Sequence, residues 1–315
     1  MQRQSNANSS ALSASGECGT EERKLTSSNQ KAAGRDMSDT PLSPDTPTMR
    51  SSPSLGDRLD VLSPALGGVI FLILWEMVVR IFKVSVFTLP PPSLVAKTFV
   101  TAFPELMQAL AFTATIAITA FLLALVSGVT LGVLLTQNRR VERMIWPYAV
   151  ALQVTPMVAI APVIIIWVGL DRAWLALLIL ATIVAFFPIL SNSVVGMKST
   201  DHGLQHLFTL YRATRWQRFV SLQFPSALPY IVAGMRVSAG LSVIGSVVAE
   251  FVAGSGSATG LAFVIVQSGT MLDISKMFAA LFVLSLFGLL MNAIVGVIQQ
   301  LLLGAWHESS IKQEN

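Results

Sequence analysis

The sequence predicts an all-α, polytopic membrane helical bundle of about six transmembrane helices, preceded by a polar tail. Three observations predict it. Hydrophobic residues make up 53 % of the 315 residues and charged residues only 12 %, about half the charge that wets an ordinary soluble domain. Six nearly uncharged stretches reach the roughly 20 residues that cross a hydrocarbon core. The single cysteine, Cys18, and three histidines, His202, His206 and His307, stand in no ligand spacing, so neither disulfides nor a protein metal centre is expected. A net charge of +4 in such a chain reports orientation more than nucleic-acid binding, and no nucleic-acid partner is expected.

Residues 1–60 are rich in Ser, Thr, Pro, Asn and Gly. They hold no apolar core of the roughly 7–15 residues a signal peptide needs. Too little apolar surface is available to offset chain entropy, so a disordered tail is expected, with Met37 and Met49 as alternative starts.

The membrane domain is expected over 61–305. Its first span, Val61–Phe82, carries Glu76 and Arg80 four apart, hence on one helical face. The second lies within Leu106–Thr136 and ends at Gln137-Asn138-Arg139-Arg140. Its Thr113, Thr115, Thr119, Ser127, Gly128 and Gly132 are small residues of the kind that let helices approach closely. The third, Met144–Val168, is interrupted by Pro147, Pro156 and Pro162. Pro156 and Pro162 remove backbone donors and are expected to kink it, with the freed carbonyls lining a path. The fourth is Ala173–Met197, closed by Lys198. The fifth runs from Pro225–Pro229 to about Val252 and the sixth is Met277–Leu303. In the fifth, Arg236 and Glu250 lie about 21 Å apart along a helix, too far to pair. Arg236 is expected to snorkel inward or to meet a partner on that side, and Glu250 to bond backbone amides of the glycine-rich segment that follows.

Lys and Arg counts in the short loops set orientation. Seven (Arg139, Arg140, Arg143, Lys198, Arg212, Arg215, Arg218) cluster in two loops, and four (Lys83, Lys97, Arg172, Lys276) spread over the others. The first set is therefore expected inside. With six spans both termini are cytoplasmic, and 306–315 is a cytoplasmic C-terminal tail.

The inner loop 201–224 has its own pattern. Leu204, Leu207, Phe208 and Tyr211 fall at the helical period. Thr214 and Gln217 fit a capping box that opens a helix, and Trp216, Phe219 and Val220 begin a second apolar set. Two short helices of about ten residues are expected, with a turn near Arg212–Ala213. Neither would be stable alone in water, so their apolar faces need a partner or the bilayer surface.

This stretch resembles the cytoplasmic loop of binding-protein-dependent ABC transporter permeases. The family pattern, Glu-Ala-Ala, three residues, Gly, then Ile-x-Leu-Pro, falls on His206-Leu207-Phe208, Arg212 and Leu222-Gln223-Phe224-Pro225. The Glu, Gly and Leu are replaced by His206, Arg212 and Phe224. A glycine at that turn would tolerate a left-handed backbone, and an arginine there costs on the order of 1 kcal/mol. Four further stretches resemble the nitrate/sulfonate/taurine branch in register: Ala213–Val237, Leu89–Phe99, Val154–Leu170 and Ala249–Ile265. Arg212 resembles a sub-branch linked to pyrimidine vitamin precursors and riboflavin-like compounds.

The resemblance implies a non-catalytic permease subunit of an ATP-driven importer in the bacterial inner membrane. Its cargo would be such a precursor or riboflavin-like compound, or a sulfonate, taurine or nitrate. No GxxxxGK[ST] motif occurs, so this chain would bind no cofactor and a separate ABC ATPase would use ATP-Mg. ATPase coupling is expected at His206, Leu207, Phe208, Tyr211, Arg212, Ala213, Arg215, Trp216 and Pro225, with Arg218 adding charge. A translocation path is expected near Thr155, Pro156, Pro162 and Glu250. The implied partners are the ATPase, a second permease subunit in a homodimer or a close heterodimer, an extracytoplasmic solute-binding protein and the bilayer. The alternative is a secondary carrier or channel without an ATPase, which would call for internal inverted repeats. A membrane enzyme would need paired catalytic groups in the spans, and no catalytic residue is assigned.

Overall fold

A computed structural model of the chain describes residues 55–253 and 259–303, with side chains from Leu66 onward. Most of the expected N-terminal tail, the segment 254–258 and the expected C-terminal tail lie outside the described residues. The described residues fold as helices without a strand: α1 (Leu55–Ile81), α2 (Pro92–Thr101), α3 (Phe103–Gln137), α4 (Arg139–Val154), α5 (Met157–Val168), α6 (Ala173–Lys198), α7 (His202–Leu210), α8 (Arg215–Arg218), α9 (Phe224–Ala253), α10 (Leu261–Thr270) and α11 (Ile274–Leu303).

Four of these are long and apolar enough to cross a membrane: α3, α6, α11, and α9 extended back to Arg215. The bent pair α4–α5 makes a fifth. The first expected span falls in α1, which starts at Leu55 rather than Val61 and presents Val69, Ile70, Phe71 and Ile73 outward. Two expected loops instead contain short helices, α2 and α10, each ten residues long.

The third span departs from a kink. α4 and α5 meet at 103° at Thr155–Pro156, whereas Pro147 and Pro162 lie inside their helices. Pro156 has no N–H to continue the ladder and forces Thr155 into extended backbone at φ −67°, ψ 126°. The chain turns there and restarts.

The centre of the bundle is α6, clasped between α3 and α9. Apolar side chains gain little by leaving lipid, so close backbone approach and packing hold the helices together. Small residues permit that approach. A Cβ on Gly128 would stand 2.8 Å from Ile189, and one on Gly132 2.7 Å from Ser193. On α9, Gly234 meets the Pro188 carbonyl at 3.0 Å and Gly245 meets Ala181 at 3.0 Å, measured from the same ideal position. The packing expected of Gly128 and Gly132 is thus present. Thr115, Thr119 and Ser127 do not share it: they are exposed, and their hydroxyls donate to carbonyls of their own helix at 2.7, 2.5 and 2.6 Å.

Ion pairs mark the helix ends. Lys198 pairs with Glu142 at one end of α6, and Lys276 bonds Glu105 at 2.7 Å where α11 begins beside α3. Glu76 bonds Arg80 at 2.6 Å, as its spacing predicts, and also accepts from the Ser93 N–H at 3.1 Å and hydroxyl at 2.9 Å. α2 begins at Pro91-Pro92 without a side-chain cap of its own. A carboxylate from α1 supplies one, favourably placed at the positive end of the helix dipole.

Candidate functional site

The loop 201–224 is built from local bonds. The Asp201 carboxylate accepts from the Gly203 N–H at 2.7 Å and opens α7. α7 closes in a Schellman turn, with the Ala213 N–H donating to the Phe208 carbonyl at 2.9 Å and the Arg212 N–H to Thr209 at 3.0 Å. Arg212 sits at the left-handed position with φ +51°. The position where the family pattern has glycine is therefore a left-handed one, and this chain accepts the strain of an arginine there.

The expected capping box is present. The Gln217 N–H donates to the Thr214 hydroxyl at 3.3 Å, and the Thr214 N–H to the Gln217 side-chain oxygen at 2.9 Å. The second helix, however, is not a separate rod. α8 passes through a wider π turn, Phe219–Gln223, directly into α9. There the Phe224 N–H donates to the Phe219 carbonyl, five residues back. That widened turn accommodates Pro225, so α8 is continuous with a span of 39 residues, Arg215–Ala253.

Leu207, Tyr211 and Trp216 are exposed by 45 %, 80 % and 71 %. Phe208, Ala213 and Pro225 are half-buried, and His206, Arg212 and Arg215 are exposed. Leu207, Phe208, Tyr211, Ala213, Gln217 and Ser221 line a cavity of about 400 Å³ between α7 and α8. Arg218 turns inward and donates to the Thr209 hydroxyl at 3.2 Å, fastening α8 to α7.

The four expected path residues separate. Thr155 and Pro156 line a cavity of about 410 Å³ at the break between α4 and α5, together with Phe187 and Pro188 of α6 and Leu241 of α9. Pro162 lies further along α5, exposed. Glu250 is elsewhere, 2 % exposed. It accepts from the Thr113 hydroxyl at 2.8 Å and the Ala262 N–H at 3.0 Å, while Thr113 accepts from the Leu261 N–H at 2.9 Å. α10 starts after Gly260 with no side-chain cap of its own, so Glu250 and Thr113 cap it from two other helices. The amides expected for Glu250 are thus those of α10, just beyond the glycine-rich segment. A Cβ on Gly260 would collide with that carboxylate. The sequence reading missed Thr113 and Gly260 as its partners. Arg236 is exposed midway along α9, with no hydrogen bond or ion pair to a described residue.

The fold thus joins a pair of short helices to a long span, beside a span broken at proline. Residues 128–304 match the family described as "Binding-protein-dependent transport system inner membrane component". The chain belongs to this family, as an ABC importer permease and a multi-pass inner-membrane protein. It is 34 % identical to the formylaminopyrimidine transport permease protein ThiX of Halalkalibacterium halodurans, over 77 % of this chain and 95 % of that protein. It is 33 % identical to the riboflavin transport system permease protein RibX of Chloroflexus aurantiacus, over 84 % and 98 %. The putative aliphatic sulfonates transport permease protein SsuC of Bacillus subtilis is 28 % identical over 76 % and 86 %. In fold, the chain resembles one from the inward-facing MetNI methionine ABC transporter, with a TM-score of 0.54 at 20 % identity, over 64 % of this chain and 97 % of that one.

Proposed function

We propose that this permease pairs with a second copy of itself to form the path of an ATP-driven importer, and that the α7–α8 loop docks a separate ATPase subunit. The observation that carries the proposal is the loop itself. Its backbone is tied by a Schellman turn, a capping box and the Arg218–Thr209 bond, yet Leu207, Tyr211 and Trp216 are exposed, the first two lining a cavity of about 400 Å³. An ordered apolar surface at the end of a polar loop suits a protein partner, and Arg212 and Arg215 beside it suit an acidic rim. ATP binding and hydrolysis in the partner would move α7, and the unbroken 39-residue rod from Arg215 to Ala253 would carry that motion into the bilayer. This chain then needs no nucleotide or metal and performs no catalysis; ATP-Mg belongs to the ATPase. The loop lies in the cytoplasm with both termini, as the positive charges favour.

For cargo we favour a pyrimidine vitamin precursor or a riboflavin-like compound, delivered by a solute-binding protein. The relatives bearing those names are 34 % and 33 % identical, against 28 % for the sulfonate permease and 26 % for the taurine transport system permease protein TauC of Escherichia coli. Calorimetry of the cognate binding protein against formylaminopyrimidine, riboflavin, taurine and nitrate tests the cargo. Binding of either of the first two is expected, and binding of taurine or nitrate alone would overturn it. Coupling is tested by replacing Leu207 and Phe208 together with Asp. The tagged variant should insert normally, lose its ATPase subunit on purification and lose ATP-driven uptake. Retention of both would overturn the docking assignment.

A further inference from the structure

Among the four single-helix spans, the one that ends in α9 has the largest share of buried residues. One stripe stays open: Tyr230, Ala233, Arg236, Val237, Ile244 and Phe251, spaced three, four or seven apart. Arg236 is its only charge. Its depth follows from its neighbours. Gly234 faces the Pro188 carbonyl, and the Ser238 hydroxyl donates to the Ala185 carbonyl at 2.6 Å. Arg236 is therefore level with about residue 187 of α6, about 11 residues or roughly 16 Å from Lys198 at the inner end. That is close to the midplane of a core about 30 Å thick, deeper than an arginine stem can snorkel.

A guanidinium at that depth requires water or an anion. Among the described residues, no counter-charge lies there. Among side chains described, Glu76, Glu105 and Glu142 stand in ion pairs at helix ends. Asp171, Asp201 and Asp273 lie in the connections between helices. Glu250 is sealed among its own donors, fourteen positions away. A second copy would bring the same acids to the same levels. Gly240, one turn from Arg236, also faces open space, unlike Gly234 and Gly245.

We propose that Arg236 lines the water-filled translocation path at mid-membrane and contacts acceptor groups of the passing solute. Its five N–H donors fit carbonyl and ring-nitrogen edges as well as carboxylates and sulfonates, and its charge repels cations. The contact would thus admit neutral acceptor-rich solutes and anions. This proposal rests on the importer reading above, so the test reads accessibility and charge rather than transport.

Cys18 is replaced by Ser and Ala233, one turn from Arg236, by Cys, in the full chain assembled with its partners in membrane vesicles. The thiol is titrated with an anionic methanethiosulfonate (the ethylsulfonate) and a cationic one (the ethylammonium). The expected result is reaction with the anionic reagent roughly tenfold faster, a preference that Arg236→Gln abolishes and Arg236→Lys keeps. A thiol inert to both reagents, or a preference unchanged by Arg236→Gln, would overturn the proposal. Absence of ATP-driven uptake in the parent complex, with the thiol pattern intact, would count against the importer reading alone.

Discussion

Replacing Thr113 with Val tests the knot that joins three helices. The hydroxyl donates to Glu250 and accepts from the Leu261 N–H, both within a buried site. A side-chain hydrogen bond contributes about 0.5–1.5 kcal/mol, and a buried amide left unpaired costs about 1–3 kcal/mol. The two losses share one environment and do not add fully, and polar contacts between membrane helices average only about 0.6 kcal/mol. A net cost of about 2 kcal/mol is therefore expected. For a domain of about 250 residues, that lowers the melting temperature by about 4–8 °C. The assay is thermal unfolding of the purified permease in detergent, with Thr113→Ser as control, since serine keeps both bonds. A Val variant melting within about 1 °C of the parent would refute the assignment of the hydroxyl as a cap of α10.

The other predictions concern backbone and packing. Gly260→Ala places a Cβ where the Glu250 carboxylate lies, and it should destabilise the permease at least as much as Thr113→Val in the same melt. Arg212→Gly should relieve the left-handed backbone at φ +51° by about 1 kcal/mol, raising protection of the α7 amides in hydrogen exchange. Gly132→Leu should drive α3 from α6 at Ser193 and sharply reduce the folded yield, whereas Leu at Gly288, with open space around it, should be tolerated. Pro156→Ala restores one backbone donor, and spin-label distances between α4 and α5 should report an opening of the 103° bend.

What the sequence made legible was local. The capping box joins Thr214 to Gln217, three residues apart, so its chemistry lies in one short string. The strain at Arg212 was readable for the same reason. The end of α8 was not. Pro225 looks like a helix start, and only the wider turn through Phe219–Gln223 shows the rod continuing past it. α2 and α10 were missed because ten residues leave a weak periodic signal, and their caps come from elsewhere: Glu76 lies 17 positions before Ser93, and Thr113 lies 148 before Leu261. The prolines of the third span read alike in sequence. Pro147 and Pro162 are carried inside helices, while Pro156 turns the chain. Glu250 and Thr155 were grouped as path residues, yet one caps a helix and the other lines the break.

The central claim is that the loop around Leu207 and Tyr211 meets an ATPase and receives its motion. The most direct measurement is site-specific cross-linking from Tyr211→Cys, in a Cys18→Ser background, to the ATPase subunit of a transporting complex. A heterodimeric adduct that forms in high yield and stops ATP-driven uptake until the cross-link is reduced is expected. Uptake that continues in a complex whose introduced thiol stays free and reactive toward bulk reagents throughout the cycle would contradict it.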